Sequence, residues 1–226
     1  MNYKIITDKE KLLQFIEWLP ELEANEKYYC SLFARKKYCK DQIKSSDKTQ
    51  LKRFLANKEQ LYFKIKQLEV EVGAYQLKGL TAPQEALALY ISPNPRSLKK
   101  AAYEGIIALT QSLKNNNQNF NPHAEMMSCI QKSIGRRIYL DCDVDTKDFD
   151  FDALYRAINS SCLTILQTRG GFHILVKLSE VLPQYKNTFY RDIIKLEVDQ
   201  VGDQLLPVPG CTQGGFTPRF INKIVE

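Results

Sequence analysis

A chain of 226 residues, 44% of them hydrophobic, is long enough to bury the core of one large domain or two small ones. Its net charge of +6 permits a polyanionic partner without requiring one. No apolar run approaches the roughly 20 residues that span a bilayer, and the six cysteines include no C-x-x-C pair, which points away from structural zinc and toward reduced thiols in a cytoplasmic setting.

The N-terminal M-N-Y-K-I-I-T-D carries no signal-like apolar stretch. Residues 8–19 read as a helix capped by Thr7, with Leu12, Leu13, Phe15, Ile16 and Leu19 on its apolar side. Residues 28–34 form a strand that runs into the basic cluster Arg35, Lys36 and Lys37. From 47 to 72 the spacing of Leu51, Phe54, Leu55, Tyr62, Ile65 and Leu68 predicts a helix. Residues 87–92 are a short apolar strand stopped by P-N-P, and Ser97 caps a helix to about residue 113. The polar loop K-N-N-N-Q-N-F-N-P at 114–122 is the best-marked lobe boundary.

The stretch R-I-Y-L-D-C-D-V-D at 137–145 is the most telling. On a strand, Ile138, Leu140, Cys142 and Val144 share one face, and Tyr139, Asp141 and Asp143 share the other, with Asp145 next in that series. Carboxylates lined up beside a buried apolar row repel one another unless something offsets them. A divalent cation does so most simply, and hard oxygen ligands favour Mg²⁺, Mn²⁺ or Ca²⁺. Beyond this strand come a helix at about 150–159, a strand at 162–167, a tight R-G-G turn, a strand at 172–178, a helix at about 184–197 and a final extended segment. The order β-α-β-β-α-β is the split βαβ arrangement of ferredoxin-like and RRM-like units, within an α+β chain. Its first and third strands are central, adjacent and antiparallel, which brings Asp141 and Asp143 beside His173.

Two or three carboxylates around divalent cations are the minimum for phosphoryl or nucleotidyl transfer. The third acid has two candidates, Asp199 and Asp203, in V-D-Q-V-G-D-Q. His173 follows R-G-G-F, where two glycines at the start of a strand let a ligand approach backbone N–H groups, and its imidazole could donate to a phosphate oxygen. His123, in N-P-H-A, reads as an ordinary surface residue. Leu205 to Phe220, rich in proline and glycine, is an irregular loop in which Thr212, Gln213 and Arg219 could meet sugar or phosphate. Two rival readings are weaker. A calcium loop over D-C-D-V-D-T needs glycine where Thr146 stands. An RNA-binding RRM would set Asp141 and Asp143 against phosphate.

Together I-Y-L-D-C-D (138–143), G-G-F-H (170–173) and V-D (198–199) resemble the three motifs of the archaeo-eukaryotic primase superfamily: h-h-h-D-h-D, small-x-His and hydrophobic-Asp. The downstream L-L-P-V-P-G-C-T-Q-G-G resembles that family's arginine-leucine-proline-glycine loop, with Cys211, Thr212 and Gln213 where serine, leucine and histidine are usual. The resemblance covers about residues 86–226 and leaves 1–85 as a mostly helical αβ lobe of a two-lobed protein. It implies a two-metal site for Mg²⁺ or Mn²⁺ on Asp141, Asp143 and Asp199. It also implies nucleotide binding at His173 with Arg169, Gly171 and Arg96, and nucleic-acid contact at Arg35, Lys36, Lys37 and Arg219. The implied function is template-directed nucleotidyl transfer, as a DNA primase and/or polymerase on single-stranded or primed DNA or RNA. Nucleoside triphosphates are then its substrates, and a helicase or other replication protein its partner. The alternative is a replication accessory protein that keeps the fold and the binding without synthesis.

Overall fold

The structure is a computed structural model that describes residues 1–39, 48–115 and 120–221; residues 116–119 of the polar loop lie outside these. Asp8, rather than Thr7, caps the first helix, α1 (Lys9–Trp18), by accepting the Lys11 N–H on its side chain. Strand β1 (Glu26–Arg35) follows and pairs antiparallel with β2 (Lys48–Ala56).

Strand β2 corrects the helix expected over 47–72. Leu51, Phe54 and Leu55 do fall at helical spacing, but exposed Lys48, Gln50 and Lys52 alternate with half-buried Thr49, Leu51 and Arg53, which is the strand period. Only α2 (Leu61–Lys66) of that stretch is α-helical. With the small hairpin of β3 (Gln76–Leu77) and β4 (Leu80–Thr81), the described residues of 1–85 hold more strand than α-helix, so they are not mostly helical.

Strand β5 (Leu87–Ile91) pairs with β1, and β6 (Arg96–Ser97) pairs with the start of β1. Ser97 accepts the Lys100 N–H and starts α3 (Leu98–Lys114). Helix α4 (Pro122–Lys132), capped by Asn121, is an element the sequence pattern did not suggest. Then come β7 (Tyr139–Val144), α5 (Phe151–Ala157), β8 (Leu163–Gln167), β9 (Phe172–Lys177), α6 (Phe189–Ile193), β10 (Gln200–Gly202), β11 (Leu206–Pro207) and β12 (Arg219–Phe220). Helix α6 is much shorter than the helix expected over 184–197.

The chain is mixed α and β, with antiparallel sheets. One sheet runs β11-β5-β1-β2, with β6 also on β1; the other runs β10-β7-β9-β8-β12. In the second sheet β7 and β9 are antiparallel neighbours, with Asp143 opposite His173 and Asp141 opposite Leu175. Helices α5 and α6 cover one face of it through Leu154 and Ile193, over Leu140, Cys142 and Val144. Its other face sends Tyr139, Leu166 and Leu175 into the same core as Tyr28, Leu32 and Leu89 of the first sheet. The first sheet draws β5 and β11 from beyond residue 85, so neither sheet nor core is divided at 85–86. All six cysteines are buried thiols. Among the described residues, no helix is long and apolar enough to cross a membrane.

Candidate active site

Alternation along β7 decides where its acids go. Leu140, Cys142 and Val144 are consumed by the helical side, so Tyr139, Asp141 and Asp143 turn toward the first sheet. On β9, His173 and Leu175 take that same inner face, and the β7–β9 register brings the imidazole to both carboxylates. His173 Nδ1 lies 3.0 Å from Oδ1 and 3.0 Å from Oδ2 of Asp141, and His173 Nε2 lies 3.5 Å from Asp143 Oδ1. Asp141 is wholly buried, whereas Asp143 keeps about a quarter of its side chain exposed.

Burial alone would favour neutral imidazole, but the charges of Asp141, Asp143 and Asp145, with the hydrogen bond that His173 donates to Asp141, hold His173 protonated above its ordinary range. The Asp143 carboxyl is pushed up, first by burial and then by Asp141, Asp145 and Asp199, with His173 opposing. Acids therefore outnumber the cation at this end of β7.

Asp143, Asp145 and His173 open onto a cleft of about 470 Å³. The second sheet supplies these acids, and the first supplies cations: Arg35 at the end of β1, Lys37 just after it, Lys48 at the start of β2 and Arg96 on β6. Arg35 Nη1 donates to the Tyr90 hydroxyl at 3.0 Å, and Lys48 Nζ sits 4.2 Å from the centre of the Phe33 ring. Burial, with Arg35 and Lys37 nearby, lowers the pKa of the Lys48 ammonium. Cations crowded in this way stabilise a bound polyanion.

Of the two candidates for the third acid, Asp203 is neutralised. Its carboxylate pairs with the buried Arg96 guanidinium and accepts from Asn94 Nδ2 at 2.8 Å. Among the described residues Asp199 has no such cation. It stands just before β10, its N–H donating to Asp143 O at 2.9 Å and its Oδ2 accepting the Asp145 N–H at 2.7 Å. Asn94 is wholly buried, and its Oδ1 accepts the N–H groups of Ile138 and Tyr139 at 2.9 and 2.8 Å. Its Nδ2 also donates to Tyr139 O at 2.9 Å. It straps β7 to the loop after β5.

The remaining expected residues divide. Arg35, Lys37 and Arg96 line the cleft with His173 and Gly170. Lys36, in the turn after β1, is not among the lining residues. Arg169 is turned elsewhere: its Nη1 donates to Gly214 O, its guanidinium lies 4.6 Å from the centre of the Tyr38 ring, and its N–H donates to Gln213 Oε1 at 2.8 Å. Gly171 serves the strand junction, because a Cβ built there would collide with Val144 O and lie 2.7 Å from Thr146 O. Arg219 sits on edge strand β12 with its Nε donating to Gln167 Oε1 at 3.0 Å, outside the cleft. Thr212 is buried, its hydroxyl accepting the Gly215 N–H.

Sequence reasoning missed Lys48, Tyr90, Gln131, Gln200 and Gln204 in the cleft wall. The one signal for Lys48 was the period-two exposure pattern of β2; the others come from separate elements and carry no shared spacing.

The donor chemistry fits a hard divalent cation, since Asp143 is surrounded by Asp141, Asp145 and Asp199 with a single imidazole against them. As these side chains are turned, no group of three or more His, Cys, Asp or Glu among the described residues is gathered closely enough to hold a metal ion. No family model, curated protein or solved structure matches the chain.

Proposed function

We propose that this chain is a metal-dependent, template-directed nucleotidyltransferase of the primase-polymerase type, built from an RRM-like catalytic unit and a second sheet that completes the cleft. One observation carries the reading: a single cleft takes acids and an oriented histidine from one sheet and four cations from the other. Nucleotide chemistry needs both, because the triphosphate is a polyanion and its transfer needs charge neutralised at the reacting phosphate.

In this reading Asp143 and Asp199, with Asp141 or Asp145, hold Mg²⁺ or Mn²⁺, which supplies charge neutralisation at the phosphates. His173, fixed by Asp141 at Nδ1, presents Nε2 to a phosphate oxygen. Arg35, Lys37 and Lys48 hold the rest of the triphosphate or the template backbone, with Arg96 behind them paired to Asp203. The test is labelled nucleotide incorporation on single-stranded template, with and without primer, in Mg²⁺ or Mn²⁺. Incorporation abolished by Asp143→Asn supports the reading; its absence under every condition sinks it.

One feature favours a second reading. Both Asp141 oxygens face His173, and no ready three-donor group is present among the described residues. A replication accessory protein that binds nucleotide without transferring it would show that arrangement. Nucleotide binding without incorporation is its signature.

A further inference from the structure

Helix α3 is held by its small residues and shows its large ones to solvent. Only Ala101 and Gly105 are buried along its 17 residues. Gly105 lets α4 come so close that a Cβ there would collide with Met126 Cε. Tyr103 is 66% exposed, Ile106 64%, Ile107 37% and Leu113 74%. Residues at 103, 106, 107 and 113 fall within one arc of a 3.6-residue helix, so they form an outward apolar stripe. A contiguous stripe of this kind on a folded chain marks a contact surface.

Beside the stripe a groove of about 1030 Å³ runs between α3 and α4, walled by Tyr103, Ile107, Cys129 and Ile134. Its charges are segregated. Lys99, Lys100 and Lys132 lie at one end, where Lys100 Nζ donates to Ile134 O at 2.8 Å. Glu104 and Glu125 lie further along. Among the described residues none of these five forms an ion pair, so the groove offers unmatched positive charge at one end and unmatched negative charge one to two turns further on, near its middle.

We propose that this groove docks an amphipathic helix of a partner protein, with an apolar face, acidic residues at one end and basic residues one to two turns further on. The α3 side of the groove is lined from Ser97 to Gln111, a wall of about 20 Å, which fits about four helical turns. The recognition is that of a helix laid into an apolar groove, anchored by residues three and four apart. A second copy of α3 is a poor occupant. In parallel it would set Lys99 and Lys100 against themselves, and in antiparallel it would set them beside Lys114.

The experiment uses the full chain and two synthetic helical peptides of about 18 residues, roughly 27 Å long. Both carry leucine on one face; one has glutamates at one end and lysines one to two turns further on, and one has the same composition with the charges alternating. Fluorescence anisotropy at low salt should show the segregated peptide binding at least about fivefold more tightly, the effect of a few rim ion pairs. Lys99→Glu with Lys132→Glu should erase that preference, and Ile107→Asp should weaken both peptides about tenfold or more. All three positions are exposed or partly so, and circular dichroism checks that the variants keep their helix. Equal affinity for the two peptides, no saturable binding of either, or binding indifferent to Ile107→Asp overturns the proposal. So does a concentration-dependent dimer of the chain alone that Ile107→Asp abolishes, since the occupant is then a second copy.

Discussion

His173 Nδ1 stands equidistant, at 3.0 Å, from the two carboxylate oxygens of the wholly buried Asp141. A buried carboxylate in this position depends on its partner. His173→Ala should lower stability by about 3–5 kcal/mol, the usual cost of leaving a buried charge unpaired. Adding Asp141→Asn should recover much of that loss. Urea denaturation followed by the fluorescence of Trp18, which stacks on Tyr139 at 4.8 Å, reads both. If His173→Ala unfolds at the wild-type midpoint, the pair does not stabilise the fold.

Asp143 behaves in the opposite sense. Burial, then Asp141, Asp145 and Asp199, raise its pKa above that of an ordinary carboxylate. The folded chain therefore holds this proton more tightly than the unfolded chain does. The contribution is present at acid pH and is lost as pH rises through the carboxylate range and past the folded value. Asp143→Asn should then be more stable than the wild type at neutral pH, no more stable at acid pH, and devoid of nucleotide transfer. Parallel pH–stability curves for the two proteins would contradict this.

The two glycines before His173 are predicted to differ. A Cβ on Gly171 collides with Val144 O, whereas one on Gly170 meets only Asp145 Oδ1 at an ordinary 3.6 Å. Gly171→Ala should part the ends of β7 and β9 and reduce both stability and nucleotide affinity; Gly170→Ala should change stability by less than about 0.5 kcal/mol. Equal thermal shifts for the two variants would show that the junction is slack.

Salt dependence separates the basic residues. Each phosphate contact to a single strand contributes about 0.7 log units of affinity per decade of salt. Neutralising Arg35, Lys37 and Lys48 together should flatten the slope for single-stranded oligonucleotide. Arg219→Ala, on edge strand β12, should leave it unchanged. A slope altered by Arg219 and untouched by the other three would move the nucleic-acid path to the far edge of the second sheet.

The second half was legible because its strands obey strict alternation. I-Y-L-D-C-D-V places acids and core residues on opposite faces, and pairing with β9 then puts His173 opposite Asp143. Strand β2 was misread because both its faces are partly covered, so Leu51, Phe54 and Leu55 imitate a helical face. Helix α4 offered an Asn121-Pro122 start but little apolar periodicity, since only Met127, Cys129 and Ile130 of it are buried, with Met126 half-buried beside them. The choice between Asp199 and Asp203 was invisible in V-D-Q-V-G-D-Q. It is made by Arg96, more than a hundred residues earlier, and only tertiary contact brings the two together. The same holds for Lys48 on β2 and for Gln131, Gln200 and Gln204, which converge from α4, β10 and the turn after β10.

Asn94 spends all its polar capacity on the backbone of β7 and on Asp203, in a seam that also holds Arg96. A seam riveted in this way has no hinge. If the chain takes a nucleotide as proposed, the tied walls leave the fit to rim side chains such as Lys37, Lys48 and Gln204. A template strand would then lie along the rim, outside the seam that Asn94 and Arg96 close.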